Sequence, residues 1–306
     1  MKKIVVLIVI LLSFTAGLFF IQGAPEKSSD KLAVTVSTFA LYDIVKHLGG
    51  EKVTVKKVIP FGVEVHSFEP TPKTIIEIQK SALFLYSGAS LEPWVKKLAK
   101  SANMLDMSRY VDLRSVSDRD DAHDEHAHHH SQFDPHYWLD IKNMKLLSKK
   151  IAAELGRLDP KSRDYYQTNA SAYIKELDAL EQEYEKGLKV CELHEVILHH
   201  NILGYLAPEY HFHVSALSGL SPDALTNAQT MAKLSKTIRQ KGIDVIFFES
   251  FVSDRTIQSL AKENKIRVDY LEPLANITAQ QAQEHMSYVE GMQNNLKKLS
   301  RAMRCR

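Results

Sequence analysis

Apolar positions along the chain follow two alternating rhythms. Short β-branched or aromatic runs, "KLAVTVST", "VTVKKVIP" and "ALFLYSG", predict strands, while "FALYDIVKHLGG", "KTIIEIQKS" and "LEPWVKKLAKSA" carry apolar residues at helical spacing. The first of these helices runs into Gly49-Gly50, a common stop. Strand and helix in alternation imply an α/β fold: a parallel sheet with helices on its faces, whose ligands collect beyond the carboxyl ends of the strands. From about residue 144 to residue 188 there is no strand candidate, and charged residues separate periodic apolar ones. Asp159-Pro160 breaks this region, and residues 162–188 predict one amphipathic helix of about seven turns. A coiled-coil segment is the plainer alternative, with few heptads to sustain it.

The second half repeats the grammar of the first. "EVILHH", "FHVSAL", "IDVIFFES" and "RVDYLEPL" predict strands; "NILGYLAPEY", "ALTNAQTMAKLSKTIRQKG", "SDRTIQSLAKENK" and a final segment around "AQQAQEHMSYVEGMQNNLKKLSRAM" predict helices. Two α/β domains around one long helix is the simplest architecture, with the binding site in the cleft between them. The expected divisions are a signal peptide at 1–24, an N-terminal lobe at 31–161 that includes a His-rich loop at 118–132, a linking helix at 162–188 and a C-terminal lobe at 189–306.

Composition sharpens this picture. A chain of 306 residues is ordinarily two domains. Lys+Arg at 39 against Asp+Glu at 37, with no basic block, excludes nucleic acid as the expected partner. The opening "MKKIVVLIVILLSFTAGLFFIQGA" places two lysines before an apolar run and reads as an export signal; Gly23 and Ala24 favour cleavage, and an uncleaved N-terminal anchor is the competing reading. No Cys follows the run, so a lipid anchor there is not expected, and the compartment is a periplasm or similar envelope space. Cys191 and Cys305 can close a disulfide in such a space, although their spacing does not show whether they meet.

Histidine carries the candidate chemistry. His66 follows the second strand run, His199 and His200 end "EVILHH", His136 stands in "FDPHYWLD", and Glu272 ends "RVDYLE". A single His at a strand end is more often a loop cap than a ligand. As a set, however, three imidazoles and one carboxylate from four strand ends suit Zn²⁺, which takes four N, S or O donors tetrahedrally; Mn²⁺ favours more carboxylate oxygen. His199 competes with His200, because adjacent strand residues face opposite ways. His123, His126, His128, His129 and His130 lie in an acid-rich, aperiodic tract. They are candidate low-affinity zinc ligands, and a tolerated polar insertion is the bland alternative.

"HSFEPTP", "SGASLEPWVKKL", "DPHYWLD", "HHNILGYLAPEY" and "LEPLA" together resemble the zinc/manganese solute-binding proteins of bacterial ABC importers, also called cluster A-I, over about residue 31 to the end. That resemblance implies two (β/α)4 lobes joined by a rigid backbone helix, with one metal ion in the cleft held at His66, His136, His200 and the position of Glu272. The family usually has Asp in D-P-L-G where Glu272 stands, so a longer side chain or a water completes the shell, and Ile141 replaces a proline common after "WLD". His at the third position accompanies zinc rather than manganese, and it falls on His200. The implied function is capture of zinc and delivery to a membrane permease driven by a cytoplasmic ATPase, by a monomer without catalysis. The rigid helix implies small tilts rather than wide closure, and proton competition implies release as pH falls through the histidine range near about 6.5.

A manganese or iron importer component or an adhesin of the same fold is the nearest alternative. A zinc hydrolase is further away: "HEVILHH" is H-E-x-x-x-H rather than H-E-x-x-H, and neither G-x-S-x-G nor a P-loop occurs.

Overall fold

The computed structural model describes residues 31–98, 103–116, 132–221, 227–249 and 255–306. The expected signal peptide and His123, His126, His128, His129 and His130 lie outside these residues. In the N-terminal lobe the elements are β1 (Leu32–Val36), α1 (Phe39–Gly49), β2 (Val53–Lys57), α2 (Pro72–Lys80), β3 (Leu83–Tyr86) and β4 (Met104–Asp106). Two helices follow, α3 (Ile141–Leu158) and α4 (Arg163–Gly187). The C-terminal lobe has β5 (Glu195–His200), α5 (Leu206–Glu209), β6 (His213–Ser218), α6 (Ala228–Lys241), β7 (Val245–Glu249), α7 (Arg255–Asn264), β8 (Arg267–Leu271), α8 (Ala279–Gln283) and α9 (Tyr288–Ala302).

The strands form two four-stranded parallel sheets, ordered β2-β1-β3-β4 and β6-β5-β7-β8. In each, the first-numbered strand lies inside and the chain crosses over on both sides of it, which leaves a crevice at the carboxyl ends. Inner strands of such sheets are covered on both faces and therefore apolar throughout; all six residues of β5 are buried.

α4 is the strut between the lobes, 25 residues and about 37 Å long. Its buried stripe, Tyr166, Ala170, Tyr173, Leu177, Leu180 and Tyr184, recurs at alternating spacings of four and three. Two of its tyrosines fasten it to opposite lobes: the Tyr173 hydroxyl donates to Asp43 Oδ2 on α1 (2.8 Å) and the Tyr184 hydroxyl to the Met292 carbonyl on α9 (2.7 Å). Cys191 and Cys305 form a disulfide that ties the last turn of the chain to the segment after α4.

The lobes are also joined directly. After β8 the chain crosses to the N-terminal lobe, where the first N–H groups of α1, which have no partner inside their helix, find carbonyls: Phe39 donates to Ala275 (2.7 Å) and Ala40 to Leu274 (3.1 Å). Leu274 takes a left-handed backbone (φ 56) at this crossing. Trp138 Nε1 donates to the Pro273 carbonyl (2.8 Å) and Gly62 N to the Ile277 carbonyl (2.8 Å).

Three expected helices differ. "LEPWVKKLAKSA" contains a 3₁₀ turn at Pro93–Lys97, because the buried Glu92 carboxylate turns back to accept the Ser87 and Gly88 amides (2.9 Å each). "NILGYLAPEY" contributes only the four residues of α5, which starts after Gly204 and has Pro208 in its single turn. The final segment is split into α8 and α9 at His285, whose φ is 58. β4, three residues long, shows no pattern in the sequence. Among the described residues no helix is long and apolar enough to cross a membrane.

Candidate metal centre

Three segments bring His66, His136 and His200 to one point between the sheets. His66 sits in the loop between β2 and α2. Glu64 shapes that loop locally, since its Oε2 accepts the amides of His66 (2.6 Å) and Ser67 (3.1 Å). Asn276 of the opposite lobe holds it from outside, its Nδ2 donating to the carbonyls of Pro60 (2.7 Å) and Val63 (2.8 Å) while Lys57 Nζ donates to its Oδ1 (2.6 Å). His136 precedes the 3₁₀ turn Tyr137–Leu139, and His200 is the last residue of β5.

One ring nitrogen from each of the three histidines lies within 4.8 Å of the others. The ring centroids are 5.3 Å apart for His136 and His200, 5.4 Å for His66 and His136, and 5.7 Å for His66 and His200. His136 Nδ1 donates to Asp134 Oδ1 (2.8 Å), and the same oxygen accepts the His136 amide (3.0 Å). His200 Nδ1 lies 2.6 Å from Glu249 Oε1 at the end of β7, off the line of the ring N–H, so this contact is mainly electrostatic. A carboxylate at each Nδ1 keeps the ring proton there and leaves Nε2 as a bare lone pair. Those two Nε2 atoms are 3.4 Å apart. Two lone pairs at that distance repel unless a cation lies between them, and nitrogens each about 2.0–2.1 Å from a tetrahedral zinc ion are separated by about 3.4 Å.

The charge states agree with this arrangement. Burial, together with the neighbouring His136 and His200, holds the His66 pKa well below the usual imidazole value, so the ring is neutral and able to ligate. Burial alone would raise Glu249, but the His200 imidazole beside it, with its ring proton at Nδ1, favours the ionised carboxylate and keeps the carboxyl below its ordinary range.

Glu272 is not among the ligand atoms that lie within 4.8 Å of one another. It is buried, and its Oε1 accepts Gln281 Nε2 (2.7 Å) while its backbone is bracketed by Asn295 (2.7 and 2.8 Å). A glutamate at this strand end reaches the α8–α9 side. His199 is buried with its ring 6.3 Å from that of His200, and it groups with His200 and Glu249 instead of with His66 and His136.

Asp134 and Glu249 escaped the sequence reading, although both had a signal. Asp134 stands two residues before His136, and Glu249 is a ligand-type residue at a strand end, the criterion that selected the histidines.

Comparison with known proteins agrees with this geometry. The chain is 31% identical over 311 aligned positions to the zinc-binding lipoprotein AdcA of Streptococcus pneumoniae, covering 98% of this chain and 60% of that protein, so it spans well under two thirds of that relative. It is 32% identical to the high-affinity zinc uptake system protein ZnuA of Bacillus subtilis, covering 90% of this chain and 88% of that one. The crystal structure of the Zn(II)-bound ZnuA-like domain of Streptococcus pneumoniae AdcA superposes with a TM-score of 0.75 at 28% identity, over 89% of this chain and 99% of that one. The family described as zinc-uptake complex component A, periplasmic, matches residues 34–302, and the chain belongs to that family.

Proposed function

We propose that this chain is the solute-binding component of a zinc importer, not an enzyme. It captures Zn²⁺ on the outer side of the cytoplasmic membrane, after export and removal of residues 1–24, and passes the ion as a monomer to an ABC permease powered by a cytoplasmic ATPase. The observation that carries this reading is the convergence of three imidazoles, two of which present bare Nε2 atoms 3.4 Å apart. His66, His136 and His200 are the assigned ligands. Glu272 is assigned the fourth position in the loaded state, which requires its carboxylate to leave Gln281; a water is the alternative oxygen donor. His123, His126, His128, His129 and His130 are assigned to weaker, auxiliary capture.

Native mass spectrometry of the mature chain, titrated with zinc and manganese, tests this proposal. One tightly held zinc in the wild type, lost in His136→Ala with the tract at 121–131 intact, is the expected result. Tight zinc retained in that variant, or preference for manganese in the wild type, overturns the ligand set or the metal.

A further inference from the structure

We propose that Tyr205 is a positioning residue for the metal centre: its hydroxyl clamps the stem that presents His136 to the segment that carries His200, and so sets the distance between imidazoles from opposite lobes. This assignment rests on the zinc-binding reading above.

The stem is a short antiparallel ladder. Ser115 pairs with Phe133, Val116 N donates to the Gln132 carbonyl (3.1 Å), and Asp134 N donates to the Arg114 carbonyl (3.0 Å). Tyr205 comes from the other lobe and is 3% exposed. Its hydroxyl accepts the Arg114 amide (3.1 Å) and donates to the Asp134 carbonyl (2.8 Å), so one oxygen closes both strands of the stem. Asp134 is itself fully buried and passes this restraint on, since its carboxylate holds both the amide and Nδ1 of His136.

The other end of the relay is equally fixed. Between His200 and Tyr205 the chain makes two tight links, Ile202 N to the His200 carbonyl (3.0 Å) and Asn201 N to the Gly219 carbonyl (2.9 Å), and Ile202 and Leu203 are buried. Hydrogen bonds and a short buried segment therefore connect His136 to His200 behind the metal site. A phenyl ring at position 205 would keep the packing and remove both bonds, taking the hydroxyl from the Asp134 carbonyl and the part-buried Arg114 amide. The stem could then shift relative to the C-terminal lobe, and the paired nitrogens with it.

Zinc affinity of the full-length mature protein, measured by competition with a chromophoric chelator, tests the assignment in a cycle of Tyr205→Phe, Asp134→Asn and the double variant. The expected result is a loss of about tenfold or more for Tyr205→Phe, with the double variant no weaker than about twofold below the weaker single, because both changes act through the same imidazole. An affinity for Tyr205→Phe within about twofold of wild type, or losses that multiply in the double variant, overturns the assignment. Hydrogen exchange of the wild type with and without zinc covers the case in which Tyr205→Phe does not fold. Zinc should slow exchange at 112–116 together with 132–136; slowing confined to 132–136 overturns the coupling. A wild type without tight zinc defeats the functional reading and this assignment together, whereas tight zinc in the wild type with an unaffected Tyr205→Phe defeats only the latter.

Discussion

Two carboxylates give the centre its chemistry by fixing where protons sit. With Asp134 on His136 Nδ1 and Glu249 beside His200 Nδ1, both rings offer their lone pairs to the same point. Replacing Glu249 by Gln keeps the shape and removes the charge, and zinc affinity should fall about 10- to 100-fold in a chelator competition. Proton linkage adds a second expectation. In the unfolded chain His66 titrates near about 6.5, whereas in the folded chain it stays neutral well below that. Below about 6.5 the unfolded state therefore binds more protons, and zinc-free stability falls as pH drops. Denaturant titrations at pH 7 and pH 5 should show a larger loss for the wild type than for His66→Ala. His200 was legible as a ligand-type residue at a strand end, whereas His66 and His136 sit in loops and were marked by "HSFEPTP" and "DPHYWLD". The direction of Glu272 was not, since it depends on Gln281 and Asn295 of the two helices that follow, whose contacts with a strand end leave no mark in periodicity.

At the scale of elements, the loop that carries His66 is held more firmly by the opposite lobe than by its own sheet. Asn276, fully buried, serves the Pro60 and Val63 carbonyls and receives Lys57 Nζ, whose pKa burial lowers to about 7. Asn276→Ala removes the amide donor to the Pro60 and Val63 carbonyls and one acceptor of Lys57 Nζ, which keeps the Ile59 carbonyl, at a cost of about 1–3 kcal/mol, measurable as a shift in the urea midpoint. Most strands and long helices could be read from periodicity, because each parallel strand is a continuous apolar run and each helix an amphipathic one. Segments governed by a single distant or turned-back polar group could not: the Glu92 carboxylate that converts "LEPW" to a 3₁₀ turn is an example.

At the scale of the whole molecule, α4 joins the lobes mechanically through Tyr173 and Tyr184 at separate points along its length. The disulfide completes the C-terminal lobe by closing a sequence separation of 114 residues. Changing Cys191 and Cys305 to Ser together should cost about 2–5 kcal/mol by loop entropy, read from denaturant curves of oxidised wild type against the double variant. The two-lobe plan and the strut were visible as a repeated strand–helix grammar interrupted by one long helix. The direct joint after β8 was not, because it consists of backbone bonds from Phe39, Ala40 and Gly62 to Ala275, Leu274 and Ile277, which leave no trace in side-chain pattern. That joint bears on kinetics. Lobes held by main-chain bonds cannot part without breaking them, so for the proposed zinc cargo wide opening is a costlier route to release than ligand exchange at the imidazoles. If the chain serves a zinc importer as proposed, unloading would then have to be forced by a docked partner that does work on the joint, and transport would gain its direction from that requirement.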